Sequence, residues 1–110
     1  MSTNAIVRAA QEGVFLVDAE ERSREFPDTF SVPGHGELKC LKWLDFVKVI
    51  FEDLKTKKGE RIWCRISKID TDKKTMEVLV QNELVVFPFI RLHQRLNIEY
   101  KNVTDWMLNP

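Results

Sequence analysis

Asp45-Phe46-Val47-Lys48-Val49-Ile50-Phe51-Glu52-Asp53 is the stretch whose reading decides the fold. Phe46, Val47, Val49, Ile50 and Phe51 are β-branched or aromatic, types that suit a pleated, half-buried surface. Successive side chains of a strand point to opposite faces. Val47, Val49 and Phe51 therefore share one apolar face, and Phe46, Lys48, Ile50 and Glu52 share a mixed one. That pattern predicts a central strand with a core on one side and a partial cover on the other.

Further strands are expected downstream over Glu60 to Ile69, Thr75 to Gln81 and Arg95 to Lys101. A basic loop from Leu54 to Gly59 and a polar turn from Asp70 to Lys74 separate the first of them. Asn82 to His93 reads as irregular and apolar, and Thr104 to Leu108 as a final turn. Short connections and period-two patterning argue for an antiparallel meander. Val47/Val49/Phe51, Ile62/Cys64/Ile66, Met76/Val78/Val80 and Leu96/Ile98/Tyr100 then form one core layer. A small, twisted sheet curls, so the expected fold is α+β: a helical arm packed on a strongly curved antiparallel sheet, a half-open barrel of SH3-like type.

Upstream, residues 3 to about 12 read as a helix stopped at Gly13. Val14 to Val17 reads either as a short strand or as a buried continuation. Asp18, with Glu21 three residues later, is an Asp variant of the capping box and opens a helical piece over Ala19 to Glu25. Pro27, Pro33, Gly34 and Gly36 mark a loop, and Leu38, Leu41 and Leu44 are spaced for a short helical turn. The expected organisation is one domain over 1–110, with a helical arm at 3–25, a loop and lead-in at 26–44, and the β region at 45–108.

With 110 residues, 44% of them hydrophobic and 31% charged, the chain can bury one modest core and is too apolar for a disordered segment. Its 17 basic and 17 acidic residues cancel, so no global field draws it to nucleic acid or an acidic membrane. Met1-Ser2-Thr3-Asn4 lacks the basic, then apolar, pattern of an export signal, and no apolar run approaches a membrane span. A cytoplasmic location is expected, with Cys40 and Cys64 as free thiols outside any zinc or redox spacing.

Arg61, Trp63 and Arg65 alternate with the core-facing Ile62, Cys64 and Ile66, so they project outward, with Leu79 on the same face one strand over. A Trp between guanidiniums can stack on a base while the arginines take phosphate or carboxylate. The structural alternative puts the N-terminal helix over Trp63 and pairs the arginines with Glu77 and Glu99. Cys64 lies between two isoleucines and reads as an inert small hydrophobe, not a nucleophile served by His35 or His93. The two histidines and two cysteines have no metal-ligand spacing, and His35 reads as a solvated loop residue. Leu84-Val85-Val86-Phe87-Pro88-Phe89-Ile90 is apolar in a region that should be a loop. It is either an additional strand with Pro88 at an edge or a patch through which Val85, Phe87 and Phe89 pair two copies as a homodimer.

Three stretches carry a resemblance. They are Pro27-Asp28-Thr29-Phe30-Ser31-Val32-Pro33, then Asp45 to Glu52 with Gly59 to Ile66, then Asn102-Val103-Thr104-Asp105-Trp106-Met107. In this order they resemble the uncharacterised bacterial YegJ-like domain family over roughly residues 18 to 108. Family members tend to carry Gly where this chain has Leu44, and an Asn-Glu/Asp-Pro turn where it has Asn82-Glu83-Leu84. The resemblance implies an α+β fold and a bacterial source, and it brings no activity, cofactor or catalytic residue.

No catalytic constellation, metal set or cofactor motif emerges from the residues. The sequence therefore reads as a non-enzymatic binding or protein-interaction module, with a nucleic-acid or nucleotide binder built on Trp63, Arg61 and Arg65 as the alternative that zero net charge disfavours. The register has a direct test. Val49→Asp should abolish the cooperative thermal transition, because an unpaired buried charge costs more than the few kcal/mol a small domain has to spare.

Overall fold

The decisive strand is filled along both edges. The computed structural model describes residues 5–110, apart from the side chains of Ala5, Val7 and Arg8. The chain runs α1 (Ala5–Gln11), β1 (Val14–Leu16), α2 (Ala19–Glu25), α3 (His35–Leu38), β2 (Phe46–Asp53), β3 (Gly59–Asp70), β4 (Thr75–Val80), β5 (Arg95–Glu99) and β6 (Asp105–Met107). One edge of β2 pairs with β3 from Phe46↔Arg65 to Glu52↔Gly59. The other edge takes two short strands end to end, β1 against Phe51 to Asp53 and β6 against Phe46 to Lys48. All pairs are antiparallel, and the order β1-β2-β3-β4-β5 curves into a half-barrel.

The alternation read from the sequence is the alternation of burial. Val47, Val49, Phe51, Cys64, Ile66, Val78, Val80 and Leu96 are wholly buried, with Ile62, Met76, Ile98 and Tyr100 beside them. A bulge in β3 between Ile66 and Lys68 sets the bend, and there the Ser67 hydroxyl donates to the Glu77 carbonyl and meets its carboxylate, each at 3.0 Å. Helix α1 lies against β1 and β5, the two margins of the half-barrel, and puts Ala9 into the core.

Local chemistry explains the N-terminal region. Gly13 ends α1 at φ +75, a conformation glycine enters without steric cost. Val14 to Leu16 then pair as strand β1, so the expected arm of helix over 3–25 is two helices with a strand between them. Asp18 caps α2 by accepting the Glu21 N–H at 3.0 Å. The expected helical start at residues 3 and 4, and the Val7 side chain, lie outside the described residues. Leu44 sits at φ +76, in the left-handed region that side-chain-bearing residues seldom enter.

Two sequence expectations change. Thr104 to Leu108 is not merely a turn, because Asp105, Trp106 and Met107 find free backbone partners on the half of β2 that β1 leaves uncovered. Leu84 to Ile90 is a loop, not a strand, and only part of its apolar run is exposed. The Glu60 carboxylate accepts the backbone N–H groups of Val85, Val86 and Phe87 at 2.8, 2.8 and 3.4 Å, so these donors need no neighbouring strand. The loop folds inward on that anchor and buries Leu84, Phe87 and Ile90 in the core, with Phe89 packed against it. Phe87 was expected at an interface, but it already has a place in the monomer.

Glu60→Ala should cost about 2–3 kcal/mol, since it strands charge-assisted hydrogen bonds at the mouth of the core. A urea melt reads the loss. Faster amide exchange at Val85 and Val86, with β2 amides less affected, locates it in this loop.

Candidate functional site

The outer face of β2 and β3 carries the unusual chemistry. Strand register puts Lys48 opposite Trp63, Ile50 opposite Arg61, and Phe46 opposite Arg65. Across this face three cations sit over three rings. The Arg61 guanidinium is 5.8 Å from the centre of Phe30, the Lys48 ammonium 4.7 Å from Trp63, and the Arg65 guanidinium 5.2 Å from Phe46. Such contacts each contribute about 0.5–1 kcal/mol at exposed sites and hold a flexible cation in place.

No carboxylate among the described residues lies within ion-pairing distance of Lys48, Arg61 or Arg65. Among the described residues, the one side-chain hydrogen bond of Arg65 runs to the Asn109 oxygen at 3.5 Å, and its buried Nε has no partner. Elsewhere on the sheet Arg22 pairs with Glu52, Arg95 with Glu77 and Lys101 with Glu99, while Lys68 on β3 also has no carboxylate within ion-pairing distance among the described residues. The expected pairing of the arginines with Glu77 and Glu99 is therefore absent, because Arg95 and Lys101 hold those acids.

Trp63 is half-buried, with the Lys48 ammonium over its ring, and the described part of α1 packs mainly against β1 and β5. Its backbone N–H donates to the Asn82 side chain at 2.7 Å, extending the ladder past the end of β4. Leu79 shares the outer face opposite Arg65.

Beside this face the loop at 26–33 and strand β6 enclose an open cleft of about 410 Å³. Lys48 and Arg61 line it, together with the hydroxyl-bearing Thr29, Ser31 and Thr104 and the acids Glu37 and Asp105. Trp63, Arg65 and Leu79 do not line it, so the four sequence-selected residues divide between the cleft and the sheet next to it. Each lining acid already accepts a hydrogen bond: Glu37 from the Trp106 indole and Asp105 from the Trp106 backbone, both at 2.8 Å. Lys48 and Trp106 are the residues that sequence reasoning missed here. The alternation on β2 did place Lys48 outward, but nothing local announced that β6 would return beside it.

The remaining candidates fall elsewhere. Cys64 is wholly buried, and burial pushes its thiol up to about 12. Cys40 is exposed, its Sγ donating to the Gly36 carbonyl at 3.3 Å. His35 is solvated as expected, but it opens α3 in place of a loop, meets the Glu20 carboxylate through Nε2 and stands edge-on to Tyr100 at 5.3 Å. No group of three or more His, Cys, Asp or Glu side chains converges among the described residues. In the Leu84–Ile90 loop Val85 and Val86, at 86% and 42% exposure, and Pro88 are left to solvent. No helix among the described residues is long and apolar enough to cross a membrane.

No family model, curated protein or solved structure matches this chain.

The thiols provide a check on the register. A maleimide should label Cys40 promptly in the native protein and Cys64 only after unfolding, because a thiol held neutral to about 12 is a poor nucleophile at neutral pH. Rapid native labelling of Cys64, read by peptide mass spectrometry, would place β3 the other way out.

Proposed function

We propose that this protein is a non-enzymatic binding module that receives an acidic segment of a partner protein on the outer face of β2 and β3. The observation that carries the reading is the set of Lys48, Arg61 and Arg65, each settled over an aromatic ring and none paired with a carboxylate among the described residues. A guanidinium already held in place loses less conformational freedom when a carboxylate arrives, and its planar donors suit a bidentate contact.

Nucleic acid fits less well. The chain has zero net charge, and the face of Trp63 that a base would stack on is occupied by Lys48. We also propose membership of the YegJ-like family, a bacterial source and a cytoplasmic setting, the last supported by the free thiols Cys40 and Cys64. The three stretches behind that resemblance supply the loop at 29–33, the strands bearing Lys48 and Arg61, and Thr104 to Trp106, which together line the cleft.

Titration with hexaglutamate tests the reading by amide and indole NMR shifts. Binding is expected at low salt, with shifts at Lys48, Arg61, Trp63 and Arg65, and it should weaken as salt screens the contact. Replacing Arg61 and Arg65 together by Gln should weaken it by roughly tenfold or more. The absence of shifts at low salt, or tighter binding of an oligothymidine of equal charge, would sink the proposal.

A further inference from the structure

The cleft does not stand alone. On the far side of Trp106 lies a second depression of about 640 Å³, lined by Gly36, Cys40, Leu41 and Leu108 among others. Glu37 and Trp106 line both cavities, and the indole N–H donating to the Glu37 carboxylate at 2.8 Å closes the wall between them. That wall is held by the fold. Trp106 pairs in register with Val47, the indole is partly buried against the core, and Glu37 is on α3.

The two sides differ in chemistry. Lys48 and Arg61, with no carboxylate within ion-pairing distance among the described residues, line one side of the wall with Ser31, Thr29 and the acids Glu37 and Asp105, whose carboxylates accept from the Trp106 indole and backbone N–H. On the other side Leu41 is buried at the floor, while Leu108 is 57% exposed and Cys40 is exposed at the rim. An occupant that satisfies both must carry a negative group and a bulky apolar group on opposite sides of a ridge.

We infer that the paired cavities are two side-chain subsites for one extended segment of a partner protein, taking an acidic side chain against Lys48 and Arg61 and a bulky aliphatic side chain against Leu41 and Leu108. The backbone of the segment crosses over Trp106. The inference rests on the proposed acidic-segment function and adds the second subsite and the order of residues. Charge complementarity selects the acidic group, and the apolar lining selects its neighbour. A partner protein fits better than a small amphiphile because both depressions are open at the surface. Small-molecule sites bury roughly 70–90% of their ligand, whereas a segment of a folded partner is covered by the rest of that partner.

Acetylated, amidated pentapeptides test this by NMR titration of the whole chain. One peptide carries Glu and Leu separated by a glycine, a second replaces Glu by Gln, and a third replaces Leu by Gly. The first should shift Ser31, Lys48 and Arg61 together with Cys40, Leu41, Leu108 and the Trp106 indole, on one binding curve. Each replacement should weaken binding by roughly tenfold, the loss of one good contact. Leu108→Ser, at an exposed position, should abolish the preference for Leu and keep that for Glu, and Arg61→Gln should do the converse. Shifts confined to Lys48, Arg61 and Arg65, indifferent to Leu, would overturn the second subsite while leaving the acidic face standing. Silence with every peptide, and with hexaglutamate, would remove both. Octanoate shifting both cavities while the peptides shift neither would overturn the inference in favour of a small amphiphile.

Discussion

Strand β2 has no free edge, and the rest of the molecule depends on that. Its inward residues Val47, Val49 and Phe51 are wholly buried. Burying such side chains is worth about 1.5–3 kcal/mol each, and a slip of one residue would turn all of them to the outer face. The same register that seats this row also determines which outer residues meet: Lys48 with Trp63 on one side and with Asp105 on the other. Core packing therefore sets the geometry of the outer face.

Polar groups finish what the apolar ones begin. Asp45, just before β2, is buried and accepts the backbone N–H groups of Lys42 and Asn109 at 2.8 and 2.9 Å. It ties the lead-in and the C-terminal tail to the same end of the sheet. Asn102, also buried, donates to the Val17 carbonyl at 3.1 Å and accepts the Glu99 N–H at 2.9 Å, joining the turn after β5 to the start of α2. Together with Glu60 these side chains satisfy backbone groups that no strand reaches. Asp45 thereby holds the tail that follows strand β6, and β6 with the loop at 29–33 forms the walls of the cleft.

The site thus arises from leftover surface with ordered chemistry. Cations on the outer face would ordinarily be mobile. Here Phe30, Trp63 and Phe46 hold them, and the acids that could neutralise them are bonded elsewhere: Glu52 to Arg22, Glu77 to Arg95, Glu37 to the Trp106 indole. Exposed cations of this kind cost the fold little in water.

What the sequence by itself determined was the alternation. Hydrophobic residues at every second position specify which side chains enter the core, and the curved α+β sheet follows from the lengths and turns between them. Asp18 as a helix cap and the outward Arg61, Trp63, Arg65 and Leu79 were legible for the same reason, since cap spacing and strand period are local. Only the tertiary structure decided what covers those residues. That Lys48 lies over Trp63, that Glu60 draws the Leu84–Ile90 loop inward, and that Trp106 returns to pair with Val47 are contacts between residues far apart in the chain. Periodicity carries the direction in which a side chain points. Which distant backbone groups still lack a partner is settled only when all strands have closed on β2, and that is what placed the cleft.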